Sequence, residues 1–244
     1  MTDPADLDEP WTRGRPATGL RELLVCGVLG PCMDIYTRRA IVGREHLEQL
    51  EEPVLLVANH SSHMDTPAIL RALPGRRRRR TAVAAAVDYF YTNRRNALSA
   101  SLVFGAVPMA RHGGGLGPAA TGHLDALIAS GGSLLLFAEG TRSHDGSVSR
   151  LRSGAAVLAA QHDLPIVPVF ISGTKAAMPR GHHWMVFKTG RPGRRHDVEI
   201  RFGEPIRARD GEPAVDVMER VRLFLADAGA DTYPGSRITE PLHA

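Results

Sequence analysis

The residue types most able to do chemistry stand just after short apolar runs. Val54 to Ala58 (VLLVA) leads into Asn59-His60-Ser61-Ser62-His63-Met64-Asp65, placing a histidine at the end of the run and an aspartate five residues later. A carboxylate that accepts a hydrogen bond from one imidazole nitrogen fixes the tautomer and leaves the other nitrogen able to take a proton. Histidine titrates near pH ~6.5 when unperturbed, which suits proton transfer at neutral pH. The same residues have a second reading, because Ser62-x-x-Asp65 fits a capping box that closes the start of a helix.

A second run, Ser133 to Phe137, opens into Ala138-Glu139-Gly140-Thr141-Arg142-Ser143. Arg142 offers a planar fork of donors that matches a phosphate, Thr141 and Ser143 add hydroxyls, and Gly140 lets backbone approach a ligand. The competing reading is a charged turn in which Glu139 and Arg142 pair with each other. In a third stretch, Gly105-Ala106-Val107-Pro108-Met109-Ala110-Arg111, a short strand delivers Arg111 either to the same edge or simply to the surface.

These loops need a scaffold that brings strand ends together. Strand-sized runs occur at Ala40 to Val42, Val54 to Ala58, Ala82 to Val87, Ala106 to Met109, Ser133 to Phe137, Ile166 to Ile171 and Val198 to Phe202. Helical patterns fall between them, at His63 to Leu73, Asn93 to Phe104, Ala119 to Ser130, Ser153 to His162 and Ala214 to Ala228. Strand followed by helix, repeated, predicts a single α/β domain with a mostly parallel, mixed central sheet flanked by helices. Ligands gather at the carboxyl ends of strands in such sheets, where the three polar loops stand.

With 244 residues, 43% hydrophobic and 23% charged, the chain fits one domain with a sizeable core. Its +4 charge is a mild excess of 30 basic over 26 acidic residues, compatible with an anionic surface or substrate and not pointing to nucleic acid. Cys26 and Cys32 form no disulfide framework, and the acidic start MTDPADLDEP is unlike a signal peptide, so a reducing cytoplasm is expected. Leu23 to Met33 is shorter than the roughly 20 residues of a spanning helix. It is read either as a buried helix or as an interfacial one that touches a bilayer. The expected organisation is a flexible arm at 1–18, a helical segment with membrane contact at 19–37, the main domain at 38–230 and a tail at 231–244. The run Arg76 to Arg80 is read as a solvated turn or as a headgroup contact.

Taken together, the motifs resemble the glycerophosphate and lysophosphatidic acid acyltransferase family, from about Ile41-Val42-Gly43-Arg44 to Phe202-Gly203-Glu204-Pro205-Ile206. NHSSHMD is similar to the family's Asn-His-x-x-x-x-Asp block, GAVPMAR to the second block and FAEGTRS to Phe-Pro-Glu-Gly-Thr-Arg-Ser. Ile166-Val167-Pro168-Val169 is similar to the fourth block, and Ser153 to Ala159 to the Gly-starting helix between the last two. The resemblance implies a glycerol-3-phosphate acyltransferase-like fold, with His60 as general base and Asp65 as its orienting partner. It also implies that Arg111, Glu139, Gly140, Thr141 and Arg142 shape a pocket for the acceptor's phosphate, and that the donor is acyl-CoA or acyl carrier protein. No cofactor or metal is implied. The implied acceptor is a lysophospholipid, and the expected location is the inner face of the membrane, held peripherally through an anionic lipid surface. Ala138 stands where the family usually has Pro, and Pro108-Met109 where Phe or Ile is common, which bears on acceptor identity.

In general terms, a hydroxyl becomes an adequate nucleophile when a positioned base removes its proton during attack, and a thioester already carries a good leaving group. Backbone amides just after His60 are expected to supply oxyanion donors. Alternative readings are the same chemistry on another acceptor (another lysophospholipid, a glycolipid or a secondary metabolite), or a non-catalytic anionic-membrane binder. The Gly115-x-Gly117-x-x-Ala120 pattern is a poor dinucleotide match, since Pro118 reads more simply as a helix start. His60-x-x-His63 lacks further ligands at zinc-like spacing, and G-x-S-x-G is absent.

Overall fold

Strands that read as continuous apolar runs do so because both faces of their sheet are covered. The computed structural model describes residues 7–50, 53–87, 94–109, 118–143, 146–182 and 184–230. Its strands are β1 (Thr37–Val42), β2 (Leu55–Ala58), β3 (Thr81–Ala86), β4 (Ala106–Met109), β5 (Ser133–Phe137), β6 (Ile166–Ser172) and β7 (His196–Phe202). They form one seven-stranded sheet in the order β1-β7-β6-β2-β5-β3-β4. Pairing is parallel from β6 through β4, while β7 is antiparallel to β6 and carries β1 parallel beside it, giving the mixed sheet expected.

Every expected helix forms, as Asp65–Ala72, Arg94–Phe104, Pro118–Ala129, Gly154–Gln161 and Ala214–Asp227. Leu124, Leu158, Val217 and Val221 bury one face of the sheet, and Ile69 and Leu70 bury the other together with Val25 and Met33 of the N-terminal segment. That segment therefore shares the main core. Arg111 and residues 231–244 lie outside the described residues.

The expected flexible arm is corrected over its second half. Pro10–Arg13 is a 3-10 turn and Arg15–Glu22 an α-helix, with Thr12 and Ala17 buried. Pro10 and Pro16 stand in first turns, where a missing N–H costs nothing. The buried Arg21 guanidinium then donates to the carbonyls of Thr12, Ser101 and Leu102, tying this helix to the end of Arg94–Phe104.

From Pro16 to Ile35 the helical path continues through a π-turn, Leu23–Leu29, and the helix Gly30–Tyr36. Its outward positions carry no charge: Leu20, Leu23, Val28 and Ile35 are the large residues there, with glycines and prolines between them. The acidic residues of the segment are paired, Glu22 with Arg78 and the partly exposed Asp34 with Arg71. No helix among the described residues is long and apolar enough to cross a membrane. Two members of the run Arg76 to Arg80 are structural, while Arg76, Arg79 and Arg80 are exposed. Arg77 donates to the Leu50 and Leu47 carbonyls and to Ser133 Oγ, and Arg78 grips Glu22 with two bonds.

Candidate active site

The register of three parallel strands assembles the site. Ala58, the last residue of β2, pairs with Phe137, the last of β5, and with Val169 in β6. Two residues beyond that pairing, His60 and Glu139 become neighbours, and the backbone N–H of His60 donates to Glu139 Oε1 at 3.0 Å. Asn59 locks the strand end on its other side, donating to the Ile171 carbonyl at 2.9 Å and accepting from the Ile171 amide at 2.8 Å.

His60 Nδ1 lies 2.8 Å from Asp65 Oδ2. A carboxylate only accepts, so Nδ1 carries the hydrogen and Nε2 keeps its lone pair. The His60 side chain retains 16% exposure while Asp65 has none, so the dyad presents one ring edge outward. The ring plane is set by Phe137, whose centroid stacks 3.9 Å away at 19°. Oδ2 of Asp65 also accepts from the amides of Ser61 at 2.7 Å and Ser62 at 2.8 Å, and Oδ1 accepts from the Thr174 hydroxyl. A buried carboxylate held by four donors, on the first residue of the helix Asp65–Ala72, is compensated for lost solvation.

Both early readings of this stretch are therefore partly right. Asp65 reaches back to the Ser62 amide as a capping box would, and the same oxygen holds the histidine ring. The expectation that amides just after His60 receive an oxyanion is corrected, because the amides of Ser61 and Ser62 are committed to Asp65 and that of His60 to Glu139.

Glu139 is 4% exposed, and its second oxygen accepts from the Ser149 amide at 2.9 Å and the Ser149 hydroxyl at 2.8 Å. Burial pushes its carboxyl above the usual range, opposed by the bonds from Ser149 and the His60 amide. The side chain braces the loop from within. Gly140 adopts φ 69°, a left-handed conformation that favours glycine, and a Cβ there would press on the Arg152 side chain. Thr141 is exposed and Arg142 half-buried. His63 is exposed, but partial desolvation, with Arg142 and His60 close by, holds its imidazole below the ordinary value, which favours the neutral form.

The sequence reading missed Thr174, Ser149, Asn59 and Phe137. Thr174 follows Gly173, whose φ is 81° and whose Cβ would meet the Asp197 carbonyl at 1.9 Å. The turn after β6 can thus be made only by glycine, and it drops the threonine onto Asp65. The sole signal was a Gly-Thr after an apolar run.

Fold and site together define an α/β protein with a hydrogen-bonded His–carboxylate pair at the carboxyl ends of its central parallel strands. Residues 38–172 match the family model described as Acyltransferase, and the chain belongs to that family. It is 26% identical over 152 residues to a chloroplastic 1-acyl-sn-glycerol-3-phosphate acyltransferase of Brassica napus, covering 60% of this chain and 40% of the relative. With the enzyme of that name from Limnanthes douglasii it shares 47% identity over 49 residues, 20% of this chain and 17% of the relative. The chain thus spans less than half of the length of these relatives. The crystal structure of a 1-acyl-sn-glycerophosphate (LPA) acyltransferase from Thermotoga maritima has the same fold, with TM-score 0.59 and 20% identity over 90% of this chain and 81% of that one.

Proposed function

We propose that the chain is an O-acyltransferase that moves a fatty-acyl group from an acyl thioester, acyl-CoA or acyl carrier protein, to the hydroxyl of a lysophospholipid. Lysophosphatidic acid, giving phosphatidic acid, is the acceptor that the names of its relatives favour. The observation that carries the reading is the His60–Asp65 pair, oriented by a buried, four-donor carboxylate with Nε2 turned outward.

In this mechanism Nε2 of His60 takes the hydroxyl proton as the oxygen attacks the thioester carbonyl. The tetrahedral adduct collapses, the carbon–sulfur bond breaks, and the departing thiolate recovers the proton from the imidazolium. Asp65 stabilises that imidazolium and fixes the tautomer beforehand, a contribution of roughly 10²–10⁴ in rate for a positioned base. Thr174 acts as a positioning residue through Asp65, and Glu139 through the His60 backbone. Arg142, Thr141 and Gly140, with Arg111, receive the acceptor's phosphate. The acceptor is a lipid, and the uncharged outward row from Leu20 to Ile35 is suited to resting on the bilayer that holds it. This reading places the protein peripherally on the cytoplasmic face, with no cofactor beyond the donor.

Purified protein incubated with an acyl-CoA, lysophosphatidic acid and a thiol reagent should release free thiol in step with phosphatidic acid. His60→Ala should slow both by about 10³-fold or more. Equal rates for the variant and the wild type would rule out His60 as the base. Acylation of an acceptor panel without any phosphate preference would remove the role given to Arg142.

A further inference from the structure

If acyl transfer takes place at a lipid surface, some cations should meet the headgroups; Arg77 and Arg78 are turned inward, and Arg76, Arg79 and Arg80, though exposed, stand before β3 at the sheet edge opposite His60. A second basic stretch remains. From Gly173 to His196 the chain carries six lysines and arginines and no acid, in a protein whose whole net charge is +4. Arg180, Lys188, Arg191, Arg194 and Arg195 are all exposed. Lys188 lies 3.3 Å from Asp197, and among the described residues no carboxylate pairs with the other four. Soluble surfaces ordinarily intersperse both signs, so this one-sign field calls for an anionic partner.

The stretch is ordered and sits beside the dyad. The Val186 amide closes one turn on the Ala177 carbonyl at 2.8 Å, and the Lys188 amide closes another on Arg194 at 2.9 Å. Met178, at its root, accepts a hydrogen bond from Ser62 Oγ at 2.9 Å. Met185 is buried in the same apolar cluster as Val25 and Met33, which puts the stretch on the sheet face that the N-terminal helices cover. Phe187 packs its ring 4.5 Å from Tyr36, next to Ile35, where the outward apolar row ends. Trp184, 51% exposed, stands on the turn between. An uncharged row, an exposed tryptophan and unpaired cations in continuity are what a bilayer interface selects, with hydrocarbon, headgroup boundary and anionic charge each met in turn.

We propose that the β6–β7 connection binds the anionic headgroups of a bilayer, with Arg191, Arg194 and Arg195 as the charge contacts and Trp184 at the headgroup boundary. The inference rests on the lipid-surface reading above and assigns it residues. It also sets the mouth of the site toward the lipid, because the root of the stretch touches the loop that carries His60 and Asp65.

The test is a triple variant, R191Q/R194Q/R195Q, in co-sedimentation with vesicles of phosphatidylcholine alone or mixed with phosphatidylglycerol. Each basic side chain at an anionic surface is worth about a factor of five, so the variant should lose about 100-fold in affinity for the mixed vesicles. Its salt dependence should flatten, and its weak binding to phosphatidylcholine should be unchanged. Turnover of a short-chain, soluble lysophosphatidic acid without vesicles should match the wild type, which separates lost docking from lost folding. Unaltered binding to mixed vesicles overturns the proposal. So does a raised KM for acyl-CoA with vesicle binding intact, which would assign the cations to the donor's phosphates. If the wild type transfers no acyl group, the enzymatic reading fails, while the vesicle result still decides whether these arginines bind anionic lipid.

Discussion

Asp65 and Glu139 are both buried carboxylates bonded to His60, one at its ring and the other at its backbone. Their surroundings differ. Asp65 opens a helix and accepts from three donors besides the ring, so positive potential and hydrogen bonds replace the water it has lost. Glu139 lies in a turn after a strand, and burial holds its carboxyl above the usual range despite the bonds from Ser149. Asp65, the carboxylate that fixes the tautomer in the proposed mechanism, has the better-compensated place. The one that only braces a strand end tolerates the poorer one.

The largest test of this contrast removes the charge on each side without removing the shape. Asp65→Asn should lower kcat by on the order of 10²–10³, since an amide turns one of its own donors toward existing donors and lets the wrong imidazole tautomer compete. KM for the acceptor should hardly move. Combined with His60→Ala, the loss should be no greater than for His60→Ala alone, because Asp65 acts only through the ring. Additive losses would break the contrast by giving Asp65 a role of its own.

Glu139→Gln should cost less, about 10-fold in kcat, by loosening the His60 backbone while leaving the dyad bonded. Its stability carries a sign. A carboxyl raised in the folded state contributes stability below its unfolded value of 4.5, and that contribution is lost as pH rises through the higher folded value. The variant lacks this loss, so its deficit in Tm against the wild type should shrink from pH 4 to pH 7. A deficit that grows over that range would mean that the ionised form is the one the fold favours.

β2, β5 and β6 were legible because parallel strands covered on both faces read as unbroken apolar runs, as VLLVA and SLLLF do. His60 and Asp65 were legible because the motif is contiguous. The brace on the His60 backbone was not, because Glu139 and Ser149 meet it only through the register of β2 and β5. Charge runs were the least informative feature. Arg76 to Arg80 and Arg191 to Arg195 look alike as strings, yet Arg77 and Arg78 of the first are spent on carbonyls and on Glu22 while all the arginines of the second face outward. A run declares its role only through the acceptors that the fold brings within reach.

Thr174 is the sharpest instance of that limit, and it gives the smallest of the effects. It lies two residues past the span matched by the family model, and only the Gly173 turn brings its hydroxyl to Asp65 Oδ1. Thr174→Val keeps the volume and deletes the donor, leaving one lone pair of a buried anion unmet. Such a bond to a charged group is worth about 1.5–3 kcal/mol. Part of it should be recovered, because a less-solvated Asp65 anion attracts the imidazolium more strongly. kcat should therefore fall only a few-fold, while the acid limb of the pH–rate profile moves to higher pH. Thr174→Ser, which restores the hydroxyl, should return both to the wild-type values. A fall in kcat with no shift of the acid limb, or no rescue by serine, would make Thr174 a packing residue and leave Asp65 positioned by its loop amides alone.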